Sequence, residues 1–237
     1  LFSRLGRLRA DELGDIGGAI AAHLSASDAR AAGETFLRQP SVFKADPDPA
    51  LDLAARLSQC GLAEGGLRVL RHQQASYGLH YTPARQRVTL ALVHTLRELG
   101  QRDEASFELA EAAKHFPTDA EVQQACAQDA VTRQDFGKAE QCYRALLLLL
   151  HGASREPAEL RRASVYVELA AIKQRRGDAT ASHELLESGF EVALGDVAEL
   201  SALVGSLTAH EQWDAAERAT LALLELGEDL TSTACAL

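Results

Sequence analysis

The stretch from Gln86 to Asp119, QRVTLALVHTLRELGQRDEASFELAEAAKHFPTD, decides the fold. Its first half repeats apolar residues at steps of three and four, which places Leu92 and Leu96 on one face of a helix. Gly100 then ends this helix, because glycine is favoured in the tight turn after a helix. A second helical pattern starts at Ala105 and runs to a proline, which cannot continue a helix interior. The stretch predicts two antiparallel helices.

The same spacing recurs along the whole chain. Six times a small residue stands five positions after a loop-compatible residue, and successive copies are 47, 39, 34, 43 and 34 residues apart. A period of 34 residues is typical of stacked helix-turn-helix repeats. The first residue of each pair ends one helix, and the small residue lets the next helix approach closely. The pairs are Gly14/Ala19, Gly61/Gly66, Gly100/Ala105, Gln134/Ala139, Gly177/Ser182 and Glu211/Ala216.

The longer steps indicate extra residues between repeats, at 77–83, 151–159 and 39–49, and these segments carry five of the six prolines. Loops accept such insertions at a small free-energy cost. No strand-like alternation occurs, so we expect an all-α chain of about twelve to fourteen helices, one pair per repeat. A single array over 1–237 is predicted, with repeats at about 1–38, 48–76, 86–119, 120–150, 161–192 and 197–228 and a further helix starting at 229–237.

Composition narrows the classes of partner. The apolar fraction of 46% suffices for a continuous core, and a net charge of −10 disfavours a nucleic-acid partner, because binding to phosphates requires cations. No run of 18 apolar residues exists, so we expect no direct membrane insertion by this segment. The sequence has no methionine and ends on what reads as a new helix, which indicates a fragment of a longer protein.

The compartment stays unknown at this stage. The cytoplasm is slightly favoured, and the periplasm stays open if an export signal lies outside these residues. The four cysteines lack the CxxC spacing of a zinc site and are expected to be reduced thiols. The alternative is a disulfide between Cys126 and Cys142, which would lie on the two facing helices of one repeat.

Catalytic and metal motifs are absent from the sequence. The densest histidines, His72, His80 and His94, match no HExxH or other ligand spacing. No nucleophile elbow, phosphate loop or kinase signature occurs. We therefore expect no enzyme activity, no metal and no cofactor. The basic run from Lys173 to Arg176 ends a helix, where cations offset the negative end of the dipole.

These residues resemble the tetratricopeptide repeat (TPR) family, whose repeats carry small residues at positions 8, 20 and 27, a turn glycine at 15 and a proline near 32. Position 20 matches in all six copies, and the copy 86–119 matches best, with Gly100, Ala105 and Pro117 in phase. Trp213 and Phe136 stand at position 17, where an aromatic ring plugs the gap between helices. The resemblance implies a right-handed superhelical α-solenoid with a concave groove lined by the first helix of each pair.

The resemblance also implies which residues face a partner, because the family uses positions 2, 5, 9, 12 and 13 of the first helix. The Lys and Asn pattern with which some members clamp the C-terminal carboxylate of chaperones is absent, since Leu90 and His94 hold those places. An arginine-lined groove would still bind an acidic or extended protein segment. The expected groove residues are Arg87, His94, Arg97, Glu121, Gln124, Gln128, Gln174 and Arg175, with Ser201 and Thr208.

Three classes of function fit these observations. The leading one is a noncatalytic protein-interaction scaffold that binds a protein or peptide within a larger bacterial assembly of the secretion, envelope-polysaccharide or pilus type, by family analogy. The second is a regulatory or substrate-presenting region of a multidomain enzyme whose catalytic domain lies outside these residues. The third is an element that self-associates through its ends.

Overall fold

The computed structural model describes residues 1–25, 27–38, 43, 45–152 and 160–235, with side chains for all of these except 152 and 228–235. These described residues form thirteen α-helices and contain no strand. The prediction of an all-α chain with twelve to fourteen helices is therefore confirmed. Parts of two predicted insertions lie outside the described residues, namely 39–42 and 44 in the segment 39–49, and 153–159 in the segment 151–159.

The chain folds as two compact units, and the first spans Leu1–Pro117. It is a series of antiparallel helices in which each helix packs against the helices next to it in the chain. Its core consists mainly of alanine, leucine and valine side chains, together with the buried rings of Phe36 and Tyr77 and the side chains of Ile16 and Ile20. The helices are α1 (Phe2–Asp11), α2 (Ile16–Ser25), α3 (Ala29–Arg38), α4 (Asp48–Gln59), α5 (Ala63–Ser76), α6 (Pro83–Glu98) and α7 (Arg102–His115).

The second unit, Thr118–Leu237, contains the remaining described helices. One apolar cluster around Tyr143 and Leu169 joins its first three helices, and another around Leu200 and Leu203 joins its last four. The prediction of one continuous array across both units stays a prediction. The helices are α8 (Ala120–Thr132), α9 (Phe136–Gly152), α10 (Arg162–Arg175), α11 (Ala179–Ala193), α12 (Val197–Ala209) and α13 (Trp213–Cys235).

The six turn residues predicted from the spacing all adopt the left-handed backbone conformation. Their φ angles lie between 59° and 79°, and in every case the next helix begins two residues later. The small residues that follow are buried as predicted, and Ser182 also donates its hydroxyl to the backbone oxygen of Ala170 at 2.9 Å. The turn residues are Gly14, Gly61, Gly100, Gln134, Gly177 and Glu211.

Two of these turns hold a residue other than glycine, and this predicts a stabilising substitution. Gln134 has a φ of 61°, a conformation that costs an L-residue about 1 kcal/mol relative to glycine. We expect Gln134→Gly to raise the free energy of unfolding by about 0.5 to 1 kcal/mol. Urea denaturation followed by circular dichroism measures this. The neighbouring Arg133→Gly, at a φ of −85°, serves as the control and should lower stability; an unchanged or lower stability for Gln134→Gly contradicts the prediction.

Three details differ from the sequence-based expectation. The opening repeat contains an additional helix, α3, which packs against α4 and α5. The helix expected to start at 229 is instead a continuation of α13 as far as Cys235, and 236–237 lie outside the described residues. Trp213 does not plug a gap between helices, because it is 61% exposed, whereas Phe136 is half-buried against the cluster around Tyr143.

Candidate protein-interaction surfaces

A cleft separates the first helices of two neighbouring pairs in the first unit. Helices α4 and α6 face each other across it, and α5 closes its base. The cleft has a volume of about 700 Å³, and four of its eleven lining residues are alanines, which leaves room for the side chains of another molecule. We call it the α4/α6 cleft. Its apolar lining is Leu51, Ala54, Ala55, Ala63, Leu70 and Ala91, and its polar lining is Ser58, Gln59, His94, Thr95 and Glu98.

One ion pair joins α6 to α4, and a second pair of polar side chains on α6 lies at the cleft itself. The guanidinium of Arg87, on α6, forms an ion pair with Asp48 at the start of α4. His94 Nδ1 lies 3.6 Å from Glu98 Oε1 on its own helix, and the His94 side chain is 76% exposed. Exposed pairs of this kind contribute about 0 to 1 kcal/mol to stability. They leave His94 and Glu98 accessible at the rim.

The second unit has a smaller pocket, which we call the α10/α12 pocket. It encloses about 200 Å³ between α10, α11 and the turn that follows α12. Val167, Ala170 and Leu186 form the apolar side. Across the mouth, Gln212 Nε2 donates to Gln174 Oε1 at 3.1 Å, and Arg175 lies beside them.

His210 is held at this pocket by a hydrogen-bonded carboxylate. His210 Nε2 lies 3.0 Å from Glu168 Oε1, and the Tyr143 hydroxyl donates to Glu168 Oε2 at 3.4 Å. The hydrogen bond with Glu168 raises the pKa of His210 above its usual value. Burial is the main reason that the pKa of Tyr143 is raised, so this side chain stays protonated. The cluster joins α9, α10 and the end of α12.

This cluster predicts a dependence of stability on pH. Because the pKa of His210 is raised in the folded state, its contribution is fully present below the unfolded pKa, near 6.5, and is lost as the pH rises through the folded pKa. We expect the wild-type protein to have a higher free energy of unfolding than His210→Gln. This difference should be about 1 kcal/mol larger at pH 5.5 than at pH 8.5. Urea denaturation at both pH values measures the difference, and a difference that does not change with pH contradicts the assignment.

The basic run that ends α10 has a structural partner. Glu140, on α9, accepts hydrogen bonds from Lys173 at 2.9 Å and Arg176 at 3.0 Å, and it also pairs with Arg144. The hydrogen bond from Lys173 is the main reason that the pKa of Glu140 is lowered. Lys173 and Glu140 are 16% and 14% exposed, so this pair is largely shielded from water. The run therefore links α9 to α10 rather than forming an open basic patch.

The predicted groove residues fall in different surroundings. His94 lines the α4/α6 cleft, whose described lining includes neither Arg87 nor Arg97. Gln174 and Arg175 line the α10/α12 pocket together. The residues predicted on α8 and α12 are exposed or half-buried on their helices, and Thr208 donates its hydroxyl to Val204 of its own helix at 2.8 Å. These others are Glu121, Gln124, Gln128 and Ser201.

Two polar residues of the α10/α12 pocket were missed in the sequence, His210 and Gln212. They lie in the turn after α12, outside the first-helix positions that the family pattern marks. The step of 34 residues from Gly177 to Glu211 is the signal that could have predicted them, because it aligns this turn with the turn at Gly177, which follows Arg175 and Arg176.

Within the residues that the structure describes, no group of three or more His, Cys, Asp or Glu side chains could hold a metal ion. None of the described helices is both long and apolar enough to cross a membrane. Cys126 is buried and Cys142 half-buried, and the two, both described, form no disulfide.

Comparison with solved structures supports the repeat fold. The chain is similar to TPR-like repeats of kinesin light chain type from Podosopora anserina, with a TM-score of 0.56, 18% identity and coverage of 81% of this chain and 98% of that one. It is also similar to BtubC (BKLC) from P. vanneervenii, with a TM-score of 0.52, 15% identity and coverage of 81% and 86%. MamA 41-end from Desulfovibrio magneticus RS-1 has a TM-score of 0.52 at 14% identity, with coverage of 78% and 97%.

No protein-family model matches the chain, and no curated protein matches it. At these identities the structural similarity establishes the fold and not a binding activity. The resemblance to tetratricopeptide repeats, which rested on a few positions per copy, is thus confirmed as an α-solenoid fold.

Proposed function

We propose that this chain, which has the fold of the tetratricopeptide repeat proteins, is a noncatalytic scaffold that binds a segment of a partner protein in the α4/α6 cleft. The observation that carries the proposal is the cleft itself: a space of about 700 Å³ between two first helices, with four alanines in its lining. Binding sites in proteins are typically concave, mostly apolar spaces of this size with a few polar groups.

The lining of the cleft indicates the chemistry of the segment. Ala54, Ala55 and Ala91 leave depth for apolar side chains, and burying one leucine-sized side chain contributes about 1.5 to 3 kcal/mol. His94 and Glu98 at the rim supply a donor and an acceptor for the backbone of the segment. We therefore expect a segment with two or more apolar anchors, bound as a helix or an extended strand.

The predicted arginines have a secondary place in this proposal. Arg87 and Arg97 lie on α6 with His94 but outside the lining of the cleft. They would attract an acidic flank of the segment, which changes the rate of association more than the affinity. The most specific part of the proposal is that the chain belongs to a larger bacterial assembly. It is supported by the alanine-, leucine- and arginine-rich composition together with the repeat fold.

The proposal is tested by filling the cleft. Ala91→Trp places a large ring in the cleft, and Ala113→Trp adds the same ring at a half-buried position of α7, which does not line the described cleft. Proteins that co-purify from a lysate of the source organism are identified by mass spectrometry, and the affinity of the purified partner is then measured by calorimetry.

We expect Ala91→Trp to raise the Kd of the partner at least tenfold, and Ala113→Trp to leave it unchanged. Arg87→Ala combined with Arg97→Ala should weaken binding about two- to fivefold, and more at low salt. A partner that binds Ala91→Trp as tightly as the wild-type chain would show that the cleft is not the binding site. Circular dichroism confirms that each variant is folded.

A further inference from the structure

A second cleft lies in the other unit, between α11 and the start of α13, and Trp213 stands at its edge. The cleft encloses about 630 Å³ and includes Leu186 and Phe190 on its α11 side. Trp213 is the only tryptophan in the chain and is 61% exposed. Tryptophan is enriched at the centres of protein interfaces, where a few large side chains carry most of the binding energy. We call this surface the Trp213 cleft.

The repeat does not require this tryptophan for packing. The turn at Glu211 aligns with the turn at Gly61, so that Trp213 corresponds to Ala63, the first residue of α5. The corresponding cleft between α3 and α5 has a similar size, about 640 Å³, and holds an alanine at this position. A helix can therefore start here with a small residue, and the exposed ring needs another explanation.

The charge around the Trp213 cleft is strongly one-sided. Residues 1–117 carry fourteen Lys and Arg against fourteen Asp and Glu, whereas 118–237 carry ten against twenty. From 177 to the end, Arg218 is the one Lys or Arg residue against twelve Asp and Glu. The whole net charge of −10 thus belongs to the unit that contains Trp213. A unit with this net charge attracts cationic groups and repels anionic ones.

The arginine in this region is already engaged. Arg218 lies 3.8 Å from the centroid of the Phe190 ring and donates a hydrogen bond of 2.7 Å to Glu187. Its charge is thereby balanced by the carboxylate, and its guanidinium lies over the Phe190 ring, which also lines the cleft. The outer edge keeps two exposed carboxylates, Glu211 and Asp214, on either side of Trp213 in sequence.

We propose that the Trp213 cleft binds a basic segment of a partner protein, with an arginine or lysine side chain against the Trp213 ring and near Glu211 and Asp214. A cation over a tryptophan face within about 6 Å is attracted by the ring, and arginine does this most often. The neighbouring carboxylates add charge-assisted hydrogen bonds to a guanidinium or an ammonium group. This site is independent of the proposed α4/α6 cleft, because it lies in the other unit and requires the opposite charge from the acidic flank considered there.

The probe is a fluorescein-labelled peptide of six Arg-Gly repeats, and the control probe has six Glu-Gly repeats. Fluorescence anisotropy with the full 237-residue chain gives the Kd at 50 and 150 mM salt. In a parallel titration with unlabelled peptide, the emission of Trp213 reports on this site alone, since the chain has no other tryptophan. The decisive variant is Trp213→Leu, which removes the ring and keeps every charge.

We expect the Arg-Gly peptide to change the emission of Trp213 and Trp213→Leu to raise its Kd about tenfold. Trp213→Phe should keep part of the affinity. Asp214→Asn and Glu211→Gln should each raise the Kd several-fold and reduce its salt dependence. The matched control is Glu64→Gln, at the position of α5 that corresponds to Asp214, and it should leave the Kd unchanged.

Four results would overturn the proposal. If Trp213→Leu leaves the Kd unchanged, the binding is an unspecific attraction to an acidic protein. The same conclusion holds if Glu64→Gln weakens binding as much as Asp214→Asn does. Equal binding of the Glu-Gly peptide would exclude charge recognition. Light scattering that shows an oligomer for the wild-type chain and a monomer for Trp213→Leu would identify a second copy of the chain as the occupant.

Discussion

Replacing Gly66 with valine is expected to lower the free energy of unfolding by about 3 kcal/mol or more. Gly66 is the small residue of the second turn pair, and it lies where α5 packs against α4. A Cβ atom on Gly66 would lie 2.9 Å from the backbone oxygen of Ala54. Since a backbone atom cannot rotate away, the two helices would have to move apart and expose the core around Leu53 and Leu70.

The neighbouring glycine provides the control for this prediction. A Cβ atom on Gly65 would lie 3.6 Å from a methyl group of Leu57, an ordinary contact. We expect Gly65→Ala to be neutral or to stabilise the chain by up to about 1 kcal/mol, because alanine is the better helix former. Urea denaturation of both variants gives the comparison. If Gly66→Val lowers the free energy of unfolding by no more than the change measured for Gly65→Ala, the close approach of the two helices does not explain why a small residue stands at position 66.

The second large effect is expected at Glu199, which caps a helix other than its own. Glu199 lies on α12 and is 5% exposed, and its two carboxylate oxygens accept from the backbone N–H groups of Arg162 at 3.2 Å and Ala163 at 2.9 Å. These groups begin α10, whose N-cap residue Arg161 makes no side-chain capping bond. Glu199→Ala would leave two N–H groups without their acceptor, which we expect to cost about 3 kcal/mol.

A graded series separates capping from packing at this position. Glu199→Gln keeps the shape and one acceptor oxygen, so we expect it to cost about half as much as Glu199→Ala. Glu191→Ala removes an exposed carboxylate of α11 and should change the free energy of unfolding by less than about 0.5 kcal/mol. The free energy is measured by urea denaturation. Equal losses for Gln and Ala would indicate that the charge of Glu199, rather than its two hydrogen bonds, stabilises the chain.

The turns and the buried small residues could be predicted because their physical causes are local. The pattern of a left-handed residue followed five positions later by a small one reflects backbone geometry within one helix pair. This pattern identified even the turns at Gln134 and Glu211, which hold no glycine. The extra helix α3 was missed although the left-handed residue before it, Ser27, is followed five positions later by the small buried residue Ala32. Ser27 lies only 13 residues after Gly14, so this pair falls outside the repeat spacing of 34 residues or more that identified the others.

The candidate surfaces were less predictable, because they depend on side chains from helices that are distant in sequence. The family register places His94 at a groove, and His94 does line the α4/α6 cleft. It also marks Arg87, but the register cannot show that Asp48, 39 residues away, pairs with this arginine. For Trp213 the register predicts a buried ring, whereas the structure exposes it, since position alone does not determine how large a gap the neighbouring helices leave.

The packing of each helix against its neighbours in sequence has a consequence for how the chain moves. Contacts of short sequence separation form without a large loss of chain entropy, so such chains fold fast and can open one segment at a time. Helix α10 packs against α9, α11 and α12, whereas α13 packs mainly against α12. The amide protons of α13 should therefore exchange with solvent well before those of α10, and a ligand held at Trp213 would slow exchange at one of the least protected helices of the unit.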